Sequence, residues 1–236
     1  MWGGRLGKQI IELLLREDAD IICLQEAIVI PGGNSFVFDH LEDIQTKAGY
    51  PHCDFLPQFG YKVMKRHAKS GMAILSKVAP IVTDGIFTRL EYMDDFDFID
   101  TDYNIRSIQR ATFEYGDQKL HVLNHHGHHV PDHKDGNDET LRQCKMIVEY
   151  IASLEEGSIV LCGDFNLIPE SESLEQINEV LINHAKEHGI ITTRTPLTHK
   201  IEVCDYIFTS SNLQVTNFQV LDDIVSDHKA LTIEFT

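Results

Sequence analysis

The chain has 236 residues, of which 42% are hydrophobic and 24% are charged. It is therefore long enough to bury one substantial core, and its composition excludes a disordered or collagen-like chain. Twenty Lys and Arg against 37 Asp and Glu give a formal net charge of −17, which argues against a basic surface that grips nucleic-acid phosphates. Hydrolysis of nucleic acid is not excluded, because bound divalent cations can neutralise phosphate charge instead.

Apolar stretches are short throughout the chain. None approaches the roughly 20 residues of a membrane-spanning helix, and the start, MWGGRLGKQIIELLLRE, lacks the basic-then-apolar profile of a signal peptide. Five cysteines without a C-x-x-C pair indicate reduced thiols rather than a disulfide framework. We therefore expect a soluble, cytoplasmic protein.

Four segments have the apolar spacing of amphipathic helices. In chain order they are residues 5–17, 36–48, 139–155 and 172–188. Gly49, Gly157 and Gly189 follow the last three of these segments, and glycine commonly ends a helix in the left-handed conformation. The pattern predicts four helices.

Short runs rich in branched and aromatic residues predict strands between the helices. They read IICLQE, GMAILS, ATFEY, LHVLNHH, SIVLCGDFN, DYIFTS, QVTNFQVL and ALTIEF. Gly116-Asp117 lies between the third and fourth runs and predicts a hairpin turn. These elements favour an α/β fold, a four-layer α-β-β-α sandwich with two mixed, largely antiparallel sheets. No linker divides the chain, so we expect a single domain over residues 1–236.

Acidic, amide and histidine side chains occupy the ends of several predicted strands. They are Glu26, His125, His126, Asp164, Asn166, Asp205, Asp227 and His228. Taken singly, each fits an ordinary strand end or turn. A buried carboxylate is costly unless it is paired or bound to metal, so together they predict a divalent-cation site at one rim of the sheets.

Six short motifs carry a resemblance to a known family. They are Gln25-Glu26, Ser70-Gly71-Met72-Ala73-Ile74-Leu75-Ser76, Asn124-His125-His126, Gly163-Asp164-Phe165-Asn166, Asp205-Tyr206-Ile207-Phe208 and Ser226-Asp227-His228. In this order the chain resembles the endonuclease/exonuclease/phosphatase superfamily, which includes DNase I-like nucleases, sphingomyelinases and inositol polyphosphate phosphatases. The resemblance spans nearly the whole chain and implies a DNase I-like sandwich.

The resemblance also implies a metal site and a group that handles the attacking water. Glu26 would ligate Mg²⁺ or Mn²⁺, and Asp227 is similar to a further ligand or to a carboxylate behind the ligands. Asp164 would orient or deprotonate the water, and Asn166 would donate a hydrogen bond to the phosphoryl oxygen.

Histidine chemistry is implied in the same way. His228 would contact the phosphoryl group or transfer a proton, with Asp205 holding its ring. His126 would stabilise the phosphate or protonate the leaving oxygen. The choice between His228 and Asp164 as the general base stays open.

Two further residues are candidates for substrate binding. Asn124 belongs to the Asn-His-His motif, and Arg110 lies where an arginine of the site would bind phosphate. A surface ion pair is an equally good explanation of Arg110.

Two features depart from the family pattern, and one acidic segment lies outside the motifs. Family members usually begin with an apolar strand that ends in Asn, and Trp2-Gly3-Gly4-Arg5-Leu6 resembles the segment after it, so we expect a first strand upstream of Met1.

Six of the 13 histidines lie in residues 121–133. A zinc site is one explanation, and a polar loop with only His126 in the site is the one we favour. Residues 91–102 carry six carboxylates among aromatic residues, which we interpret as a solvated loop rather than a calcium loop.

These features predict a divalent-metal-dependent hydrolase of phosphoester bonds, most simply a phosphodiesterase or nuclease that acts by in-line attack of water. The substrate would be a small diester, a nucleic acid or a phospholipid headgroup. One alternative is a phosphatase or a sphingomyelinase-like phospholipid hydrolase of the same superfamily. An alternative of another class is a non-catalytic binding module on the same fold. The motifs describe the phosphate and not the rest of the substrate, so they do not separate these functions.

Overall fold

The computed structural model describes residue 1 and residues 4–31, 40–63, 65–99, 101–131 and 134–236. The elements in these ranges are α1 (Gly7–Glu17), β1 (Ile21–Val29), α2 (Leu41–Ala48), β2 (His52–Val63), β3 (Arg66–Ser76), β4 (Val82–Arg89), β5 (Arg106–Tyr115), β6 (Gln118–His126), α3 (Asp138–Ala152), β7 (Ser158–Asp164), α4 (Glu172–Asn178), β8 (Ile182–Asn183), α5 (His184–Glu187), β9 (Asp205–Thr209), β10 (Val215–Val220) and β11 (Leu231–Phe235). In these ranges, no helix has both the length and the apolar character needed to cross a membrane.

Most strand pairs are antiparallel, as the hairpin-like sequence pattern predicts. One sheet has six strands in the order β4-β5-β6-β7-β9-β8, and only the β6–β7 pair in it is parallel. The predicted turn at Gly116-Asp117 joins β5 to β6, with Gly116 at φ +59°. The other sheet has the order β1-β3-β2, and β10–β11 is a separate two-stranded ladder.

Three apolar clusters lie between the layers and explain why the elements stack. Leu13 and Ile44, on α1 and α2, pack against β1 and β3. Residues of both sheets and of the β10–β11 hairpin, among them Ile74 and Phe218, fill the central cluster. The third cluster joins α3, α4 and α5 to the outer face of the six-stranded sheet. The architecture confirms the α/β four-layer α-β-β-α sandwich.

Two predictions about elements are wrong, for reasons that the packing explains. The predicted helix over 172–188 is broken after Asn178, because Ile182 and Asn183 pair with β9 and the Asn183 side chain then caps α5. The predicted α3 ends at Ala152 and not near Gly157. A Cβ on Gly157 would lie 2.6 Å from the Lys119 carbonyl oxygen, so this glycine allows a close approach of chains.

Besides the short β8, the sequence analysis did not predict two strands. β2 contains a shift of register between Pro57 and Phe59, which interrupts the alternation that marks a strand. β4 lies at the edge of its sheet and exposes Val82 and its neighbours, so it lacks the apolar alternation of a half-buried strand.

Candidate active site

A cleft of about 480 Å³ opens at one rim of the sandwich. Six of the predicted site residues line it: Glu26, His126, Asp164, Asn166, Asp227 and His228. Three cationic side chains that the sequence analysis did not single out line it too: Arg106, Arg194 and Lys200. The strand ends are thus brought together at one place, as expected from their order in the chain.

The backbone around this cleft adopts conformations that few residues tolerate. Gly163 has φ +142°, and a Cβ there would overlap the backbone of His125, its partner on β6. This close approach sets His126 directly beside Asp164 across the β6–β7 pair. Glu26 and Asn166 are left-handed at φ +53° and +57°, a conformation that costs energy for residues other than glycine and recurs at functional sites.

The side chains of His228 and Asp205 form a pair. His228 Nδ1 lies 2.9 Å from both carboxylate oxygens of Asp205, so Nδ1 carries the proton, since a carboxylate can only accept. Asp205 Oδ2 also accepts from the Thr193 hydroxyl at 2.5 Å and from the Cys204 thiol at 3.3 Å. The imidazole is therefore fixed in tautomer and orientation.

Carboxylates control the charge of His228. Burial lowers its pKa, but Asp205 and Asp164 outweigh burial and raise the pKa to about 9. The ring is thus an imidazolium at neutral pH, and its Nε2–H points into the cleft, 3.7 Å from Asp164 Oδ2 and 3.8 Å from Asp227 Oδ2.

Asp164 remains ionised despite its burial. Burial raises the pKa of this carboxyl, and the neighbouring positive charges, led by His228, outweigh it and lower the pKa below its usual range. Its Oδ1 accepts a hydrogen bond from the backbone N–H of Asn166 at 2.8 Å. The carboxylate is held firmly by this local turn, with Oδ2 directed toward His228.

The Asn166 amide is oriented by two partners. Its Nδ2 donates to the Gly127 carbonyl at 3.2 Å, and its Oδ1 accepts from Lys134 Nζ. Burial lowers the pKa of Lys134, and Asp164 opposes this change. Lys134 is a functional candidate that the sequence analysis missed, because it lies in a loop without periodicity.

Arg194 is the second functional candidate that the sequence analysis missed. Its side chain is only 3% exposed and its Nη1 lies 3.7 Å from Asp227 Oδ2. A β-bridge joins Arg194 to His228, and the Thr195 N–H donates to the Asp227 carbonyl at 3.1 Å. The loop around Arg194 is thus tied to the Asp-His motif by backbone contacts that no local pattern announces.

Arg194 and His228 also meet directly, through Nη1 and Nε2. Arginine is only a donor, so a hydrogen bond between them requires a neutral imidazole. The raised pKa of His228 favours the imidazolium instead, and the two groups are then donors that face the same space. An anion placed between them would accept from both.

Several polar nitrogens that line the cleft are buried without a hydrogen-bond partner among the described residues. They are Arg106 Nε, His126 Nδ1 and Arg194 Nε. Burial lowers the pKa of Arg106 to about 10, so it stays cationic at neutral pH. Burial lowers the pKa of His126 well below its usual value, and Arg106 lowers it further, so His126 is neutral.

One group of candidate metal ligands is present among the described residues. Ligand atoms of Asp164, Cys204, Asp205 and His228 all lie within 4.8 Å of one another. Burial raises the pKa of the Cys204 thiol well above its usual value, so it is protonated. Glu26 and Asp227 are outside this group but line the same cleft.

The structure does not bring Arg110 or Asn124 into the cleft. The Arg110 Nε donates to Asp84 Oδ1 at 2.9 Å, and its guanidinium lies 5.9 Å from the Tyr150 ring on the α3 side of the sheet. Asn124 lies on the inner face, where its amide donates to the carbonyls of Leu24 and Ala73 at 3.1 and 3.2 Å.

The histidine-rich segment is mostly structural. His121 contacts Thr112 and the Glu155 carbonyl, and His125 contacts the Ser107 carbonyl. His129 lines the cleft together with His126, so the prediction that only His126 points into the site is wrong. His133 lies outside the described residues, and among those described no histidine of this segment belongs to a ligand group.

A protein-family model and several solved structures resemble this chain. The model of the Endonuclease/Exonuclease/phosphatase family matches residues 2–228. A functionally unknown conserved protein from Enterococcus faecalis is similar in structure (19% identity, TM-score 0.72, covering 100% of this chain and 92% of that one). So is the Bacteroides thetaiotaomicron mannosyl-6-phosphatase (18% identity, TM-score 0.69, covering 100% and 91%).

A third similar structure is D. rerio TDP2 complexed with a single-strand DNA product (15% identity, TM-score 0.67, covering 100% of this chain and 92% of that one). At these identities the likeness shows the fold alone. No curated protein sequence matches the chain. Because the family model extends over nearly all of it, the chain belongs to the endonuclease/exonuclease/phosphatase family of phosphoesterases.

Proposed function

We propose that the protein is a divalent-metal-dependent phosphodiesterase that hydrolyses its substrate by in-line attack of water on phosphorus. The observation that carries the proposal is the set of buried donors around the cleft. Arg106 and Arg194 each present a guanidinium whose Nε has no hydrogen-bond partner in the part of the chain that the structure describes, and His228 adds an imidazolium beside Arg194. Buried donors without partners are costly, and a phosphoryl group would satisfy them.

The donor set fits a divalent metal. Glu26, Asp164 and Asp227 supply carboxylate oxygens to one cleft, and hard oxygen ligands suit Mg²⁺ or Mn²⁺. When bound, such an ion polarises a phosphoryl oxygen and offsets negative charge. The protonated Cys204 thiol is a poorer ligand for these ions.

The side chains of this chain then have separate tasks. Asp164, kept ionised, accepts a hydrogen bond from the attacking water and receives its proton as the bond to phosphorus forms. The bond between phosphorus and the leaving ester oxygen breaks in the same step, and the leaving oxygen takes a proton from solvent. His228 donates its Nε2–H to the phosphoryl oxygen while Asp205 holds the ring. Neutral His126 is suited to a hydrogen bond and not to a full proton donation. Asp164 is therefore our choice of general base over His228.

A diester fits the charges better than a monoester. The chain has a net charge of −17, and a diester brings one negative charge where a monoester brings nearly two. Repulsion by the net negative charge of the whole chain is therefore smaller for the diester. A phosphatase, as in the Bacteroides thetaiotaomicron neighbour, is the second candidate because the same donors would bind a monoester.

The test uses methyl 4-nitrophenyl phosphate with Mg²⁺, Mn²⁺ or EDTA. We expect turnover only with metal, and we expect Glu26→Gln and His228→Ala each to lower kcat by roughly 100-fold or more, the scale of one strong transition-state contact. Glu12→Gln is the matched control, because Glu12 is an exposed carboxylate on α1 with 65% side-chain exposure.

Each other outcome points to a different function. Unchanged rates in EDTA, or in both variants, would overturn the metal-dependent mechanism. Faster hydrolysis of 4-nitrophenyl phosphate than of the diester would favour a phosphatase. Absence of turnover on both substrates, with intact folding, would favour the non-catalytic binding module.

A further inference from the structure

Aromatic side chains form the second wall of the cleft, here called the aromatic wall. Phe59 and Tyr61 come from β2, and Phe98 and Tyr103 come from the connection between β4 and β5. All four line the same cleft as Asp164 and His228. The aromatic wall is therefore continuous with the proposed phosphate centre.

The rings of the aromatic wall pack against one another and against the buried ring of Phe96. Phe96 is 5% exposed and lies 4.5 Å from Phe59 between ring centroids. Phe98 stands nearly perpendicular to its neighbours, 5.1 Å from Tyr61 at 85° and 5.0 Å from Phe96 at 80°. Such edge-to-face pairs are the favoured geometry of aromatic side chains.

Backbone contacts hold this connection against β2. The Gly60 N–H donates to the Met93 carbonyl at 2.9 Å, and the Phe96 N–H donates to the Gly60 carbonyl at 2.6 Å. A Cβ on Gly60 would lie 2.5 Å from the His67 ring, so glycine permits the approach. The described residues of 91–102 are mostly exposed, as expected of a solvated loop, and Phe96 is the buried exception.

Carboxylates of the same connection are mostly paired with their neighbours. Asp94 accepts from the Tyr92 hydroxyl at 2.9 Å and lies 2.9 Å from His67 Nε2. Asp102 lies 2.6 Å from Arg89 Nη2. Because these carboxylates are paired, the aromatic rings and not unpaired negative charge characterise this wall.

Phe98 remains 63% exposed on this support. A large exposed apolar side chain is unremarkable by itself, but here it belongs to an ordered cluster of rings that lines a cleft. The cleft volume of about 480 Å³ is in the range of small-molecule sites. A flat ring that stacks on Phe98 would remove apolar surface from water on both partners.

We propose that the aromatic wall is the subsite for a planar ring carried by the substrate's phosphoester, such as an aryl group or a nucleobase. This inference rests on the proposed function for the phosphate but concerns a different part of the substrate. Phosphate donors and ring subsite together select a small phosphoester with a flat substituent. A long polyanion fits less well, because the net charge is −17.

Binding of non-hydrolysable phosphonates tests this independently of turnover. Methylphosphonate, cyclohexylphosphonate and phenylphosphonate share the anionic group and differ in the substituent. With Mg²⁺ present, isothermal titration calorimetry should show phenylphosphonate binding about tenfold more tightly than methylphosphonate, the scale of one stacked ring. The non-planar cyclohexyl ligand should fall between them.

Two variants locate the preference. In Phe98→Ala the ratio of the phenylphosphonate to the methylphosphonate association constant should fall to about one. The reason is that stacking on Phe98 provides the expected preference of about tenfold. In Ile99→Ala the ratio should persist, because Ile99 is adjacent, 88% exposed and not part of the cleft lining.

The remaining outcomes separate the two proposals. Equal binding of methylphosphonate and phenylphosphonate would overturn the ring subsite and leave the phosphate centre intact. Equal binding of the cyclohexyl and phenyl ligands would also overturn it, since the wall would then bind any apolar group. Binding of the phenyl ligand alone would keep the ring subsite and count against the phosphate centre, and failure of all three ligands would overturn both.

Discussion

The two walls of the cleft are built from different materials and held in different ways. On the polar wall, Asp164 and Asp205 are buried and His228 is half-buried, and hydrogen bonds from several strands and loops fix their side chains. On the aromatic wall, Phe98 is largely exposed and is held by ring contacts with Tyr61 and Phe96. Side-chain hydrogen bonds orient the functional groups of the polar wall, whereas ring packing orients the side chains of the aromatic wall.

This contrast suggests a division of labour. Fixed charges around a phosphoryl group act where negative charge develops, so changes there should affect kcat for every substrate. Ring contacts act on a remote substituent by contact area, so changes there should affect KM for ring-bearing substrates only. Substitutions on the two walls are therefore expected to have different kinetic signatures.

Of the changes that compare the two walls, Arg194→Ala should have the largest effect. This guanidinium meets His228 and lies near Asp227, so its loss should lower kcat by about 100-fold on methyl and aryl diesters alike. Arg110→Ala should change kcat less than about twofold, because Arg110 is bound to Asp84 outside the cleft. Steady-state kinetics on both esters measures the effect. A loss confined to the aryl ester would break the proposed division between the walls.

A smaller effect is expected on stability as a function of pH. The folded-state pKa of His228 is raised from 6.5 to about 9, so its imidazolium stabilises the fold below pH 6.5 and this contribution is lost as the pH rises through 9. Between about pH 6 and about pH 10, wild type should lose on the order of 3 kcal/mol of unfolding free energy relative to His228→Gln.

Urea unfolding in EDTA at several pH values gives this comparison. Because His228→Gln lacks the titrating group, the contributions of groups that do not contact His228 are the same in both proteins and cancel from the difference. A difference between the two proteins that stays constant with pH would show that Asp205 and Asp164 do not stabilise the charged ring.

The residues of the polar wall could be predicted from the sequence because they sit at strand ends. Glu26, Asp164 and His228 each interrupt or flank an apolar run, and the rim of a sandwich collects such positions. Arg110 shows the limit of this reasoning. It shares a strand face with Ile108, which packs in the cluster beneath α3, but the sequence does not say which face of a strand meets which layer.

Other parts of the site had no signal of this kind. Arg194 reaches the cleft from a loop through a β-bridge with His228, a long-range contact that leaves no local periodicity. Phe98 lies among carboxylates that resemble a solvated segment, and its place in the cleft depends on the packing of Phe96 on β2. Contacts between distant segments therefore place Arg194 and Phe98 in the cleft, and local sequence patterns do not report such contacts.

The smallest expected effect concerns the support of the aromatic wall. Phe96 is buried beneath Phe98 and Phe59, so Phe96→Leu should lower the unfolding free energy by about 1 kcal/mol through the loss of ring volume. Because Phe98 would keep its Tyr61 contact, the phenyl preference should weaken by less than in Phe98→Ala. Urea unfolding and the phosphonate titrations measure the two effects on the same sample. A complete loss of ring preference at unchanged stability would show that the wall depends on a single arrangement of its rings. The kcat on the methyl diester should not change in Phe96→Leu, because it depends on the polar wall.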